Sequence, residues 1–345
     1  IYIYMDSIGY QGVENCYTYK VIQKNLSNLR SYSFKTFNEV FNALIRKNVD
    51  YILIPIENST GGSIYINYDL FYKYHSEYNI NILKEYTFQV NHCLYINSNS
   101  TINDIKYVLS HPQALAQCIN NINIHNWISK DSWDTTGSIE EITKLGCNYA
   151  CIAPSGMEKY YPNIKPIIEN FNDEKTNITR FYLMSIQNNF INTNFINNYN
   201  INNKFSSYII IKDEIGILSI LLDGFKQNSI NLTKIESRPL QGSPFQYIFF
   251  IEGTGTYNDI EIICKKYSNL YNYHCLGIFP VDQINNERLN TKINLKIGII
   301  GFGRFGQFIG KKMSSYGFNI VCTSRSDYTD RANKYSIRYL KKDLF

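Results

Sequence analysis

Hydroxyl, amide and glycine residues crowd one short string, Glu57-Asn58-Ser59-Thr60-Gly61-Gly62-Ser63, and a hydroxyl stands beside a guanidinium in a second, Asn177-Ile178-Thr179-Arg180-Phe181. Backbone N–H groups at a helix start bind anions, and neighbouring hydroxyls add donors. The guanidinium fork suits carboxylates. Together the two strings predict a site for a small, carboxylate-rich molecule. Similar mixtures recur where apolar strands give way to helical patterns: Ser110-His111-Pro112-Gln113, Asp134-Thr135-Thr136-Gly137-Ser138 and Pro154-Ser155-Gly156. Helix capping alone explains any one of these junctions. Four in one α/β unit point to a shared cleft, since ligands gather at strand ends.

The elements that must carry these strings alternate. Tyr2–Ile8, Tyr51–Pro55, Tyr107–Leu109 and Tyr149–Ala153 read as short strands. Leu115, Cys118, Ile119 and Ile122 fall at helical spacing, which predicts one helix there. Residues 1–188 therefore read as an α/β domain, and the asparagine-rich stretch 189–205 as a linker. From 206 to 282 the order is strand, helix, strand, strand, helix, strand. Its expected strands are Tyr208–Ile211, Leu232–Ile235, Phe245–Ile251 and Cys275–Phe279, a βαββαβ ferredoxin-like unit. A third unit spans 294–345.

Composition excludes several function classes. A net charge of +5 on 345 residues is mild and scattered, which argues against nucleic acid. No apolar run reaches membrane-spanning length. The eight cysteines show no paired metal-ligand spacing and read as reduced, mostly buried thiols. The expected compartment is intracellular, cytoplasm or plastid, and the chain's start at Ile1 leaves any targeting peptide open.

Gly9-Tyr10-Gln11-Gly12-Val13, Pro55 through Ser63, Asn91-His92-Cys93-Leu94, Ser110 through Cys118 and Asn177 through Phe181 resemble, in this order, the signatures of prephenate dehydratases, in particular the plant-type branch that includes arogenate dehydratases. The resemblance implies a two-lobed, periplasmic-binding-protein-like domain with its site between the lobes. It implies that Thr179 is the catalytic hydroxyl, that Asn58, Ser59, Thr60, Gly61, Ser110 and Arg180 contact the substrate, and that Phe181 is structural nearby. It calls for no cofactor and no metal. The substrate would be prephenate or arogenate, lost carbon dioxide and water leaving an aromatic ring. A cleft that binds a small acid without turnover is the competing reading. His92 and His111, without a carboxylate near in sequence, read as structural.

Gly216-Ile217-Leu218 and Glu236-Ser237-Arg238-Pro239 resemble the effector signatures of the ACT domain attached to such dehydratases. The resemblance implies phenylalanine as effector at a subunit interface, in a homodimer or homotetramer. In the third unit a buried strand precedes Gly301-Phe302-Gly303-Arg304-Phe305-Gly306, whose glycines suit a dinucleotide turn and a pyrophosphate. Ser324 and Arg325 close the next strand where NAD-binding folds place an acid, which favours NADP. This string resembles the start of an arogenate or prephenate dehydrogenase, and its length predicts an incomplete Rossmann unit without dehydrogenase activity.

Overall fold

The computed structural model describes residues 6–132, 135–186, 203–211, 214–281, 296–300, 307–308, 311, 319–323, 327–335 and 337–339. The chain divides into two compact units, Ile1–Asp282 and Gln283–Phe345.

The first unit opens with strands β1 (Ser7–Gln11), β2 (Arg30–Phe34), β3 (Tyr51–Asn58), β4 (Gly62–Ser63) and β5 (Asn81–Gln89), and helices α1 (Tyr17–Asn25), α2 (Phe37–Ile45) and α3 (Tyr65–Tyr78). A second lobe follows: β6 (His92–Asn97), β7 (Tyr107–Ser110), β8 (Ile128–Asp131), β9 (Tyr149–Pro154) and β10 (Ile164–Ile168), with α4 (Pro112–Ala116), α5 (Ile119–Ile124) and α6 (Ser138–Leu145). The chain then returns to the first lobe as β11 (Ile178–Ser185), antiparallel between β3 and β5. Two crossings, after Gln89 and after Ile168, thus join two separate sheets. The two-lobed architecture follows from that return.

Local chemistry explains the elements. Most of the apolar side chains of β3 are buried, as befits a central strand covered on both faces. Thr36 and Glu39 close a reciprocal capping box at the start of α2, whose Val40, Phe41 and Leu44 face the core. The single helix expected around residues 115–122 is two helices. Cys118 leaves helical geometry at φ −128°, and the Asp173 carboxylate accepts from the N–H groups of Asn120 and Asn121, capping a fresh start. The first strand lies at Ser7–Gln11; residues 2–5 of the expected strand are outside the described residues.

Residues 203–280 run β12 (Asn203–Ile210), α7 (Ile217–Gln227), β13 (Asn231–Pro239), β14 (Tyr247–Gly255), α8 (Tyr257–Leu270) and β15 (Asn272–Pro280). The sheet is antiparallel in the order β13-β14-β12-β15. Phe245 lies outside β14, at φ 62° and 94% exposed, so the strand starts two residues later than its pattern implied. One sheet face packs on both helices through Phe225, Ile260, Ile263 and Tyr267. The other lies on the first lobe, where Tyr208, Ile248, Phe250 and Phe279 share a core with Tyr68, Phe71 and Tyr182. Gly277 brings β15 against β5: a Cβ there would press into the Ile82 carbonyl oxygen. Residues 203–280 thus pack into one compact unit with the lobes.

In the second unit, β16 (Lys296–Ile300), β17 (Asn319–Thr323) and β18 (Arg338–Tyr339) form a parallel sheet, and Ile320, Cys322, Ala332 and Ile337 pack together. Gly301, Gly303, Arg304, Phe305, Gly306, Ser324 and Arg325, the expected dinucleotide contacts, lie outside the described residues. Among the described residues no helix is long and apolar enough to cross a membrane.

Candidate active site

Antiparallel pairing of β3 with β11 sets Thr179 opposite Asn58 and Arg180 opposite Glu57. Successive side chains on a strand point to opposite faces. Thr179 and Asn58 accordingly face a cleft of about 330 Å³ between the lobes, together with Tyr17 and Phe181 of the first lobe and His92, Gln113, Gln117 and Thr136 of the second.

Hydrogen-bond polarity inside the cleft is fixed from the backbone outward. The N–H groups of Thr60 (3.0 Å) and Gly61 (2.7 Å) both donate to the Asn58 Oδ1, and a backbone N–H can only donate. Asn58 must then turn its Nδ2 toward Asn177 Oδ1 (2.6 Å) and Thr179 Oγ1 (2.9 Å). Thr179 is thus an acceptor toward Asn58, and its own hydrogen is left to point into the cleft. The same logic runs the other way. Gln117 Nε2 donates to Asn58 Oδ1 (3.0 Å), so Gln117 Oε1 accepts from Asn177 Nδ2 (2.9 Å) and from His92 Nε2 (2.8 Å).

None of the described residues lining the cleft is Arg or Lys. A bound anion would meet amides, hydroxyls and helix starts instead. Thr136, next to the start of α6, is fully buried on the cleft wall, and its Oγ1 has no hydrogen-bond partner among the described residues. A buried hydroxyl without a protein partner is a ready donor for a ligand oxygen. Burial lowers the His92 pKa to about 4, against the opposing effect of its hydrogen bond to Gln117 Oε1, so the ring is neutral near pH 7.

A profile of the prephenate dehydratase family matches residues 8–189. An Arabidopsis thaliana chloroplastic protein named arogenate dehydratase/prephenate dehydratase 2 is 32% identical over 288 residues, 80% of this chain and 73% of that one. The chain belongs to the prephenate dehydratase family. A prephenate dehydratase of Methanocaldococcus jannaschii is 33% identical over 66% of this chain and 80% of its own length. The chain spans less of two further plant relatives, 63% and 64% of their lengths. A prephenate dehydratase structure from Arthrobacter aurescens, solved with L-Phe, superposes with a TM-score of 0.70 at 20% identity, over 80% of this chain and 90% of that one, a likeness of fold.

Within this dehydratase fold several residues expected at the substrate stand elsewhere. Ser110 is fully buried, and its hydroxyl donates to the Ile152 carbonyl (2.8 Å), stitching β7 to β9. Arg180, one residue past Thr179, points away from the cleft. Its Nη2 contacts both carboxylate oxygens of Glu252 (2.8 Å each), with Glu57 and Glu85 at 3.4 and 3.7 Å. Strand alternation forces that outcome. Ser59 ties its loop to β11, donating to Thr176 O and accepting from Ile178 N. The N–H groups of Thr60 and Gly61 serve Asn58, so they are not open anion donors; both residues line a neighbouring pocket of about 300 Å³. The short hairpin strand β4 also separates this turn from α3, so the turn is not a helix start.

Gln117, Tyr17 and Thr136 carry no role in the expected set. The strings that hold Gln117 and Thr136 were visible, whereas Tyr17 lay outside them, and only the fold brings all three to the cleft of Thr179. His92, expected to be structural, lies on the cleft wall; His111 accepts the Gln113 N–H and borders the same cleft.

The effector strings also part company. Gly216 takes a left-handed φ of 79° before α7, and Ile217 lines a cavity of about 720 Å³ that none of Glu236, Ser237, Arg238 or Pro239 borders. On β13, Lys234, Glu236 and Arg238 face the first lobe. Glu236 accepts from Ser63 Oγ (2.6 Å), and Arg238 forks onto Asp69 (3.0 and 2.7 Å). Ser237 and Pro239 are exposed on the other side.

Proposed function

We propose that the chain catalyses the decarboxylating dehydration of prephenate or arogenate. The carrying observation is the Thr179 hydroxyl, held as acceptor by Asn58 with its hydrogen free toward a cleft of neutral donors. In this reading the ring carboxylate leaves as carbon dioxide, the C–C bonding pair enters the ring and expels the ring hydroxyl as hydroxide, which takes up a proton from solvent to become water. Thr179 donates its hydrogen bond to that departing oxygen. A threonine hydroxyl is too weak an acid to deliver a free proton readily, so it polarises and positions. Thr136, and Thr135 beside it, receive a substrate carboxylate near the start of α6. No cofactor enters the reaction. The named relatives, all dehydratases, disfavour a cleft that binds without turnover.

The test compares the intact chain with Thr179→Ala on prephenate and arogenate side by side, following carbon dioxide and the aromatic product. A fall in kcat of roughly 100-fold or more is expected from loss of this one donor. An undiminished rate would remove Thr179 from the chemistry.

The finer reading extends to regulation. Residues 203–280 act as an ACT domain binding phenylalanine. Supporting it are the β-α-β-β-α-β order, the left-handed Gly216 turn and the L-Phe in the like-folded Arthrobacter protein. Because Ser237 does not border the cavity that Ile217 lines, the effector site takes one string from each of two chains in a homodimer or homotetramer. The unit from 294 onward is the beginning of an NADP-dependent arogenate or prephenate dehydrogenase, supported by the parallel pairing of β16 with β17 on either side of the glycine string.

A further inference from the structure

The hydrogen-bonded chain that ends at Thr179 does not begin at Gln117. His92 is the first residue of β6, just past one of the two crossings between the lobes, and only 2% exposed. Its Nε2 meets Gln117 Oε1 at 2.8 Å and its Nδ1 meets Tyr17 Oη at 2.9 Å. Tyr17 belongs to the first lobe, His92 and Gln117 to the second, Asn58 and Thr179 to the first again. The strap therefore crosses the lobe junction twice.

Its polarity leaves one tautomer. Asn58 Oδ1 is already an acceptor of two backbone N–H groups, so Gln117 must present Nε2 to it and Oε1 to His92. His92 must then carry its proton on Nε2, leaving Nδ1 as an acceptor facing the Tyr17 hydroxyl, whose single hydrogen is shared with the Asn91 carbonyl at the same 2.9 Å. Both ring nitrogens are engaged by protein, and neither is left for a substrate. Without the Nε2–H, Gln117 Oε1 keeps only the Asn177 donor, and the amide is held less firmly. A displaced amide would weaken its bond to Asn58 Oδ1 and loosen the Asn58 donor that orients Thr179.

We infer that His92 is a positioning residue of the dehydratase reaction, acting through Gln117 and Asn58 to aim the Thr179 hydroxyl. The inference rests on the functional reading above. It differs from a proton-transfer role, in which His92 would itself touch the reacting atoms.

Three variants of the full chain test it, assayed on prephenate and arogenate with kcat and KM resolved and kcat followed against pH. His92→Leu removes the donor, and kcat is expected to fall roughly ten-fold or more with KM nearly unchanged, the cost of one buried hydrogen bond expressed in the rate. His92→Gln places an amide N–H near the former Nε2 and is expected to recover most of kcat, with a pH profile superimposable on the parent's. His92→Asn, whose amide reaches only the Nδ1 position, is expected to stay low. Wild-type kcat in His92→Leu overturns the inference. So does a Gln variant as slow as Leu with one limb of its pH profile gone, which would make His92 an acid or base. Should the Leu variant fail to fold, equal kcat for Gln and Asn overturns it just as well. A parent chain inert toward both substrates would defeat the functional reading and this inference with it, whereas an active parent with an equally active Leu variant would defeat this inference alone.

Discussion

Glu252 offers a quantitative test of how the ferredoxin-like sheet is held on the dehydratase lobes. Its side chain is 1% exposed, yet it carries a charge. Burial pushes its carboxyl pKa up, but Arg180 and then Lys204 more than offset this, and the net value lies below the ordinary 4.5. Glu252→Gln keeps the shape and removes the charge. Arg180 retains Glu57 (3.4 Å) and Glu85 (3.7 Å), and Lys204 retains Glu85 (2.7 Å), so the cations are not stranded. The cost should sit at the low end for breaking a buried pair, about 3 kcal/mol. Arg180→Gln leaves Lys204, at 3.1 Å, as the remaining cation on Glu252 among the described residues and should cost more, about 4–5 kcal/mol. Because the two residues share one contact, the double variant should cost less than the sum, by roughly 1–3 kcal/mol. Urea unfolding of the four proteins at pH 7 measures the cycle.

The sign with pH follows from the depressed pKa. Glu252's contribution is complete above its unfolded value of 4.5 and is lost as pH falls through the lower folded value. Glu252→Gln should therefore narrow its deficit relative to the parent as the solution is acidified. Strictly additive single variants, or a Glu252→Gln loss below about 1 kcal/mol, would show that these charges behave as a solvated surface pair.

Two further outcomes follow from the packing and the cleft. Gly277→Ala should destabilise by about 1–3 kcal/mol and expose the β15–β5 junction to protease, because the added methyl meets the Ile82 backbone rather than a yielding side chain; an unchanged urea midpoint would refute that close approach. Asn58→Asp replaces the Nδ2 donor with an acceptor, so the Thr179 hydrogen turns to the new carboxylate; kcat should fall roughly 100-fold, and a parent-like kcat in steady-state assays would show that the hydrogen was never directed into the cleft.

Much of the fold was legible because burial writes periodicity into sequence. The apolar run of β3, the helical stripe of α8 and the β-α-β-β-α-β order all register as patterns of hydrophobic spacing. Boundaries were less legible. The break between α4 and α5 depends on Asp173, some fifty residues downstream, reaching back to cap the second helix. Phe245 looked like the first residue of a strand face until the turn took it to a positive φ.

The candidate site divides along the same line. Sequence alone singled out Thr179, Asn58 and their strings, because hydroxyls and amides between apolar strands are chemically conspicuous. It also paired Thr179 with Arg180 as neighbours in one chemistry. Only the tertiary structure separated them, since adjacent residues on a strand face opposite ways: Thr179 reaches the cleft and Arg180 the ferredoxin-like sheet. Likewise, no local pattern could join Tyr17, His92, Gln117 and Asn58, which meet only because the chain leaves its first lobe after β5 and returns as β11. Residue type is written locally, whereas direction and partnership arise from which strands pair.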